Sequence, residues 1–162
     1  MSEDYQNNFN KRISVEEIVE GTSLSPKFDK DGLIPCITTD NDTGDVLMMG
    51  YMNAESLTKT IESGEAYYYS RSQEKIWHKG SVSGLKQNIV EMMIDDDQDC
   101  LWISVKVEGS GASCHVGYKS CFYRSIPIKE KVNKGLKLKK TDQEKLFDPE
   151  EVYKDIPNPT KI

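Results

Sequence analysis

Two apolar segments on either side of an acidic run constrain the fold of this chain more than any other feature. Residues 87–94 and 101–107 are rich in apolar and β-branched side chains, and each has the length of a strand. Only six residues, Asp95 to Cys100, connect them. We therefore predict two neighbouring strands whose connection holds four carboxylates and a thiol.

The spacing of the carboxylates within this connection predicts a cation site. If the strand pattern continues, Asp95, Asp97 and Asp99 share one face, and Asp96 and Cys100 share the other. Three carboxylates on one face repel each other unless a cation lies among them. A hard divalent ion such as Mg²⁺ suits oxygen ligands of this kind. The alternative is a solvated acidic turn that binds nothing.

The remaining patterns predict an α+β fold that is mainly antiparallel β, with one principal helix at about 54–63. Asn53 is a good N-cap for this helix, and Gly64 is a good stop. Further strands are predicted at 36–39, 46–52, 66–70, 76–79 and 118–126, and short helices after Ser14 and near 142–147.

The composition predicts one domain with an arm at each end. The chain has 162 residues, enough for a single hydrophobic core. Residues 31–127 contain most of the strand and helix patterns, and we expect them to form the domain itself. We expect residues 1–30 to be an N-terminal arm and residues 128–162 to be a charged, lysine-rich C-terminal appendage.

Charge and composition exclude several classes of function. The formal net charge of −6 argues against general affinity for a nucleic acid polymer or an anionic membrane. The first residues are polar and lack a secretory signal, and no apolar run has the length of a membrane span. We therefore expect a cytoplasmic protein whose four cysteines serve metal binding or packing before disulfides.

A second group of candidate ligands lies between Cys114 and Cys121. Two thiols and His115 fall on a short segment that contains a glycine, and thiolate sulfur is well matched to zinc. A catalytic zinc site needs three protein ligands and leaves a fourth position for water. Asp96 or Cys100 would supply the third, from the same chain or from another subunit. The alternative is a pair of buried thiols beside a surface histidine.

A third group of residues suits a phosphorylated nucleotide. Arg71, Ser72 and Lys79 offer charge-assisted hydrogen bonds to phosphate, and Trp77 offers an aromatic face for a base. The alternative, surface charges on core strands, explains these residues nearly as well.

Together these features resemble the phosphoribosyl-AMP cyclohydrolase family. The resemblance covers about residues 32–124 and consists of several motifs in a fixed order. They are VLMMGYMN at 46–53, YYSRS at 68–72, WHKG at 77–80 with SG at 83–84, the acidic run, and CH at 114–115 with CF at 121–122.

The resemblance implies hydrolytic opening of the adenine ring of 1-(5-phosphoribosyl)-AMP, a step of histidine biosynthesis. It also implies a homodimer with its active site at the subunit interface, which uses Zn²⁺ and Mg²⁺. In the family three cysteines bind the zinc, one of them from the partner chain. By this resemblance Cys114 and Cys121 are zinc ligands, and Asp95, Asp97 and Asp99 are the magnesium ligands.

The acidic run departs from the family pattern, which has a cysteine at the position of Asp96. Cys100 lies four residues later, where the family usually has a small residue. Asp96 as an oxygen ligand keeps the flanking aspartates aligned without a gap, and we favour it as the third zinc ligand. Cys100 is the other choice, through a change of register. A third possibility is weakened zinc binding with altered chemistry.

His115 is the predicted proton shuttle, because a histidine titrates near neutral pH and this one neighbours a zinc ligand. Two other functions stay open. One is a related zinc hydrolase or deaminase that acts on a different purine-like nucleotide, although the usual deaminase signature is missing. The other is a small binding module stabilised by a zinc ion with four ligands.

Overall fold

The fold is a central sheet with one principal helix and a small second hairpin. The computed structural model describes residues 4–160 and residue 162. In chain order its elements are a 3₁₀ turn (Tyr5–Asn8), α1 (Val15–Glu20), β1 (Ile34–Asp40), β2 (Val46–Met52), α2 (Ala54–Ser63), β3 (Tyr67–Ser70), β4 (Lys75–His78), β5 (Gln87–Ile94), β6 (Leu101–Val107), β7 (Arg124–Ser125), β8 (Lys139–Lys140) and α3 (Pro149–Tyr153). This is the predicted α+β fold with mainly antiparallel strands.

The central sheet has four strands in the order β2-β1-β6-β5. β1 and β2 form one antiparallel hairpin, and β5 and β6 form a second one across the acidic run. The hairpins join through β1 and β6, which run parallel with Cys36 opposite Leu101. A parallel pair needs a long connection. Here that connection includes α2 and the antiparallel β3–β4 hairpin.

One face of the sheet carries the hydrophobic core. Its inward side chains are less than about a tenth exposed, and α2 and β3 cover them. Burying each large side chain stabilises the fold by about 1.5–3 kcal/mol. The core includes Ile34, Cys36, Leu47, Met48, Met52, Leu57, Ala66, Tyr68, Leu101, Ile103 and Val105.

The opposite face carries a row of apolar side chains in register across all four strands. Ile37 pairs with Met49 on one side and with Trp102 on the other, and Trp102 pairs with Met93. Ile37, Met49 and Trp102 are 39–47 % exposed. We call these four residues the apolar row.

Helix α2 begins and ends where its sequence predicts. The Asn53 side chain accepts the N–H of Ser56, and the Ser56 hydroxyl accepts the N–H of Asn53, both at 2.8 Å. Gly64 ends the helix in the left-handed conformation, with φ of +71°. Within residues 4–160, no helix has the length and apolar character that a membrane crossing requires.

Two predicted elements are wrong. The strand predicted at 118–126 is reduced to Arg124–Ser125, because the residues before it fold into a tight loop around Gly117, whose φ is +106°. The helix predicted near 142–147 begins later, at Pro149. There the Asp148 side chain accepts the N–H of Glu150, and a proline occupies the first helical position.

Candidate active site

The acidic loop, Asp95 to Cys100, is a tight turn between β5 and β6. The N–H of Asp95 donates to the carbonyl of Cys100 (3.0 Å), and the N–H of Gln98 donates to the carbonyl of Asp95 (3.1 Å). Oδ1 of Asp95 also accepts the N–H groups of Asp99 (2.9 Å) and Cys100 (3.0 Å). One carboxylate and the backbone therefore fix the shape of the loop.

This turn gathers the side chains of Asp95, Asp97 and Asp99. One carboxylate oxygen from each lies within 4.8 Å of the others. Strand alternation is not the cause, because residues 95–100 form no strand and Gln98 has a left-handed φ of +58°. Partial desolvation and repulsion from Asp97 and Asp95 raise the pKa of Asp99. Three mutually repelling oxygen ligands suit a hard divalent cation.

Gln98 turns away from the three carboxylates and is buried beneath the loop. It is 5 % exposed, although the residues on either side of it are partly accessible. Its side chain bonds to the backbone of the N-terminal arm. Sequence reasoning missed this residue, although an amide among carboxylates was a visible signal.

The thiol loop, residues 112–121, is a tight hairpin-like loop beside β2. The N–H of Cys114 donates to the carbonyl of Tyr118 (3.1 Å), and the N–H of Gly117 donates to the carbonyl of Cys114 (3.0 Å). At the end of the loop, the N–H of Cys121 donates to the carbonyl of Leu47 (2.8 Å). The loop therefore folds Cys114 and Cys121 back toward each other at the edge of the sheet.

The two thiols lie within hydrogen-bonding reach of each other. A hydrogen bond from Cys121 holds the pKa of Cys114 at about 6, well below the usual value. The same hydrogen bond raises the pKa of Cys121. Cys114 is buried and Cys121 is exposed, so the pair is reachable from one side. A thiolate with an adjacent thiol is a donor set that fits a soft cation such as Zn²⁺.

Lys79 is the buried cation beside this pair. It is 4 % exposed, and its Nζ donates to the carbonyl of Ser113 at 2.6 Å. The same Nζ lies 4.7 Å from the centre of the Trp77 ring. Burial lowers the pKa of Lys79 to about 8, against the opposing effect of the two thiol groups. The phosphate contact predicted for this lysine stays a prediction; in the structure its ammonium lies beneath the thiol loop.

A buried polar network supports the thiol loop from the core side. The Tyr68 hydroxyl lies 2.7 Å from Oγ1 of Thr38 and donates to Oε1 of Gln87 at 2.6 Å. Nε2 of Gln87 donates in turn to the Ser113 hydroxyl at 3.2 Å. Gln87 is fully buried. Lys79 and Gln87 thus hold the residue next to Cys114 from two directions, and neither role is visible in the sequence.

The C-terminal segment, residues 139–160, packs on the outer side of the thiol loop. The N–H of Leu146 donates to the carbonyl of Gly117 at 2.8 Å. A side chain at Gly117 would meet the carbonyl oxygen of Phe147, since an added Cβ would lie 2.5 Å from it. Nε2 of His115 lies 3.2 Å from Oδ1 of Asn158. The segment therefore contacts the predicted proton shuttle directly.

Comparisons with known proteins agree with this pair of loops. The family model for phosphoribosyl-AMP cyclohydrolase matches residues 48–123, which include both loops. The chain is 52 % identical over 140 residues to the phosphoribosyl-AMP cyclohydrolase of Rhodopseudomonas palustris strain BisA53, covering 86 % of this chain and 92 % of that protein. The chain belongs to the phosphoribosyl-AMP cyclohydrolase family.

Two further relatives carry the same name. The phosphoribosyl-AMP cyclohydrolase of Nitrobacter winogradskyi is 50 % identical over 87 % of this chain and 94 % of its own length. That of Bradyrhizobium diazoefficiens is 52 % identical over 85 % of this chain and 95 % of its own length. Similarity to these members of the family therefore extends beyond the segment that the family model matches.

The two candidates for a third zinc ligand do not join the thiol pair within the chain. Among residues 4–160, the one group of three ligands within mutual reach is Asp95, Asp97 and Asp99. Asp96 is exposed on the acidic loop. Cys100 is half-buried, and desolvation with repulsion from Asp95 and Asp99 raises its pKa. Among the described residues, therefore, no third candidate ligand lies within reach of both Cys114 and Cys121.

The predicted nucleotide contacts fall in two places. Trp77 is 39 % exposed and stacks at a tilt on Tyr68, with ring centres 5.6 Å apart. It is close to the thiol loop through Lys79. Arg71 and Ser72 lie in the exposed turn between β3 and β4, and the Arg71 guanidinium lies 4.2 Å from the centre of the Tyr51 ring.

A cavity of about 350 Å³ between α2 and β5 does not suit the substrate of a phosphoribosyl-AMP cyclohydrolase. Nine of its ten lining residues are apolar or glycine, and Thr60 is the tenth. A phosphorylated nucleotide needs charged or polar partners. We therefore place no substrate there.

Proposed function

We propose that this chain opens the adenine ring of 1-(5-phosphoribosyl)-AMP with Zn²⁺ held at the thiol loop and Mg²⁺ held at the acidic loop. In this reaction water adds to C6 and the N1–C6 bond breaks, which gives the formimino-carboxamide ribotide of histidine biosynthesis. The observation that carries the proposal is the pair of thiols, Cys114 and Cys121, which the thiol loop brings together beside the buried ammonium of Lys79.

The donor set at the thiol loop fits zinc. Cys114 is the more acidic thiol, and binding of a thiophilic cation would displace the proton that Cys121 shares with it. The ammonium of Lys79 offsets part of the negative charge of two thiolates. A bound zinc ion with an open position lowers the pKa of water toward neutrality, which is the chemistry that a hydrolase requires.

The donor set at the acidic loop fits magnesium. The oxygens of Asp95, Asp97 and Asp99 converge within 4.8 Å. Desolvation, together with repulsion from Asp97 and Asp95, raises the pKa of Asp99, and a cation would relieve the repulsion. Mg²⁺ is usually bound through carboxylates together with substrate phosphates. We therefore assign this loop to neutralising or orienting a phosphate of the substrate.

We assign proton transfer, base stacking and phosphate binding to other side chains of the protein. His115 would hold the proton that N1 of the purine takes up as the ring opens. The half-exposed ring of Trp77 would stack on the purine. Arg71 and Ser72 remain our candidates for phosphate binding, because both are exposed and polar. For Lys79 we propose a supporting role at the thiolates, since its ammonium is buried.

We propose that a second copy of the chain completes the site. Two thiols are one ligand short of a catalytic zinc site. The apolar row offers a face for such a copy, since three of its four large side chains are 39–47 % exposed. The homodimer would place Asp96 or Cys100 of one chain at the thiol pair of the other. A cytoplasmic location fits four cysteines that are all free.

The test is one assay on two variants. We expect zinc-loaded protein to open the ring of 1-(5-phosphoribosyl)-AMP, followed by absorbance, and to do so faster with Mg²⁺. Cys114→Ser and Cys121→Ser should abolish turnover and reduce bound zinc together, because each removes a ligand. Turnover with normal zinc content in both variants would refute the assignment. Inactivity of fully metallated protein, with turnover of another purine nucleotide in a substrate panel, would favour the related hydrolase.

A further inference from the structure

Gln98 connects the acidic loop to the N-terminal arm. Its Oε1 accepts the N–H of Ser25 at 2.8 Å, and its Nε2 donates to the carbonyls of Ile18 (3.0 Å) and Ser23 (3.2 Å). Its own carbonyl accepts the N–H of Lys27 at 2.7 Å. The Gln98 side chain is 5 % exposed, and both its amide oxygen and its amide nitrogen are hydrogen-bonded. These bonds hold the acidic loop in one position relative to the arm.

Arg12 makes a second connection between the same two parts of the chain. Its Nη1 donates to the carbonyl of Ser25 at 2.6 Å, and its Nη2 donates to the carbonyl of Asp97 at 2.8 Å. The planar guanidinium therefore bridges two backbone segments, a geometry that a lysine cannot reproduce. A weaker contact follows from Lys27, whose Nζ lies 3.9 Å from Oδ2 of Asp99.

The hydrogen bonds of Gln98 and Arg12 to the arm use none of the three carboxylates. Gln98 occupies the position between Asp97 and Asp99 and directs its side chain into the arm. Arg12 binds the backbone of Asp97 and leaves the carboxylate free to face a cation. The loop adopts a left-handed φ of +58° at Gln98, a conformation that favours glycine and costs a side chain about 1 kcal/mol or more. The buried hydrogen bonds of Gln98 offset that cost.

We infer that residues 12–27 of the N-terminal arm are a positioning element of the cation site, with Arg12 and Gln98 as positioning residues that set the spacing of Asp95, Asp97 and Asp99. The inference rests on the proposed magnesium assignment of the acidic loop. It adds that residues outside the segment matched by the family model determine how tightly the loop holds a divalent cation. Partners of this kind typically change metal affinity by about 10- to 100-fold.

The experiment measures Mn²⁺ affinity of the full-length protein by electron paramagnetic resonance, with Mn²⁺ as the spectroscopic substitute for Mg²⁺. Arg12→Ala and Gln98→Glu should each weaken Mn²⁺ binding by about 10- to 100-fold. Gln98→Glu keeps the shape of the side chain and loses both donated hydrogen bonds. Lys11→Ala is the matched control, because it removes the same charge from an exposed neighbouring position. Its affinity should stay within about twofold of the unaltered protein.

A second readout separates positioning from loss of folding. In metal-free protein, hydrogen exchange at the amides of Ser25 and Asp99 should accelerate in Arg12→Ala, while amides of β6 and zinc content stay unchanged. Arg12→Lys should recover little of the affinity, since it restores charge without the bridge. Equal Mn²⁺ affinity in Arg12→Ala, Gln98→Glu and Lys11→Ala would overturn the inference, as would loss of β6 protection in both test variants.

Failure of the proposed function has a different signature. If the unaltered protein bound no Mn²⁺, or if Asp97→Asn left binding unchanged, the magnesium assignment itself would fall, and the metal-positioning role would fall with it. If Asp97→Asn removed binding while Arg12→Ala and Gln98→Glu did not, the magnesium assignment would stand and only the role of the arm would be wrong.

Discussion

The acidic loop and the thiol loop both bring candidate metal ligands together, but they do so in different ways. The acidic loop gathers three carboxylates from six consecutive residues of one chain. The thiol loop gathers two thiols, and no third ligand joins them within residues 4–160. One terminal segment supports each loop, the N-terminal arm at Gln98 and the C-terminal segment at Gly117. The first loop therefore gathers its three candidate ligands in a single chain, whereas we propose that the second takes its third ligand from another copy.

Mixing two inactive variants tests this difference most severely. Cys114→Ser lacks a ligand of the thiol pair, and Asp96→Ala lacks the favoured third ligand. If the third ligand comes from the partner, random exchange makes half of the dimers mixed, each with one intact site, and turnover recovers to about a quarter of the unaltered level. The same mixture made with Cys100→Ala tests the other candidate.

The apolar row supplies the control for the mixing experiment. Ile37→Asp added to both variants places a charge at the centre of the row and should prevent both subunit association and recovery. Mixed dimers confirmed by native mass spectrometry but without recovery for either pair would contradict a shared zinc site. The thiol loop would then find its third ligand in its own chain, as the acidic loop does.

His115→Ala separates proton transfer from metal binding at the thiol loop. We expect turnover to fall by roughly 10²–10⁴-fold, because acid–base assistance is lost. Zinc content, measured by atomic absorption, should be unchanged, since His115 is not among the proposed ligands. A small change in turnover would assign the proton to another group, and loss of zinc would make His115 a ligand.

Asp97→Asn tests whether the acidic loop acts independently of the thiol loop. Mn²⁺ affinity should fall by at least about tenfold, which is 1.4 kcal/mol, because one of three charged ligands is neutralised. Zinc content should not change. Asp42→Asn, at an exposed carboxylate of the β1–β2 turn, is the control for net charge. If Asp97→Asn lost zinc and Asp42→Asn did not, the result would show that the two loops form one site.

Gly117→Ala measures the contact between the thiol loop and the C-terminal segment. Gly111→Ala is the matched control, because both glycines have positive φ, +106° and +82°, and a side chain at Gly111 meets open space. Backbone strain should cost each variant about 1–2 kcal/mol of unfolding free energy. The collision with Phe147 should cost Gly117→Ala about 1–3 kcal/mol more. Equal denaturant midpoints for Gly117→Ala and Gly111→Ala would show that the C-terminal segment moves away from the added side chain at little cost in unfolding free energy.

Sequence predicted the parts of the fold that local signals determine. The boundaries of α2 follow from Asn53 and Gly64, and those of β5 and β6 follow from segments rich in apolar and β-branched side chains. Prediction failed where contacts with residues far away in sequence determine the local structure. Tyr118 belongs to no strand because its loop bonds to itself, to β2 and to the C-terminal segment. The carboxylates of the acidic loop were expected to meet by strand alternation, and a turn brings them together instead.

The supporting groups were out of reach for the same reason. Gln98 is buried because residues far away in sequence surround it, and its bond to Ser25 spans 73 positions. The sequence around Lys79 suggests an exposed phosphate ligand. The lysine is buried because the thiol loop folds over it. Candidate ligands can be read from residue type and spacing. The groups that orient them cannot, because their partners are chosen by the tertiary fold.

The bond between Arg12 and Asp97 also has a consequence for synthesis on the ribosome. The two residues are 85 positions apart. At about 5–20 residues per second, the N-terminal arm waits roughly 4–17 s before its partner has been made. During that interval the guanidinium of Arg12 and the N–H of Ser25 lack their hydrogen-bond partners in the acidic loop. This part of the arm therefore takes its final position only after the acidic loop has been synthesised.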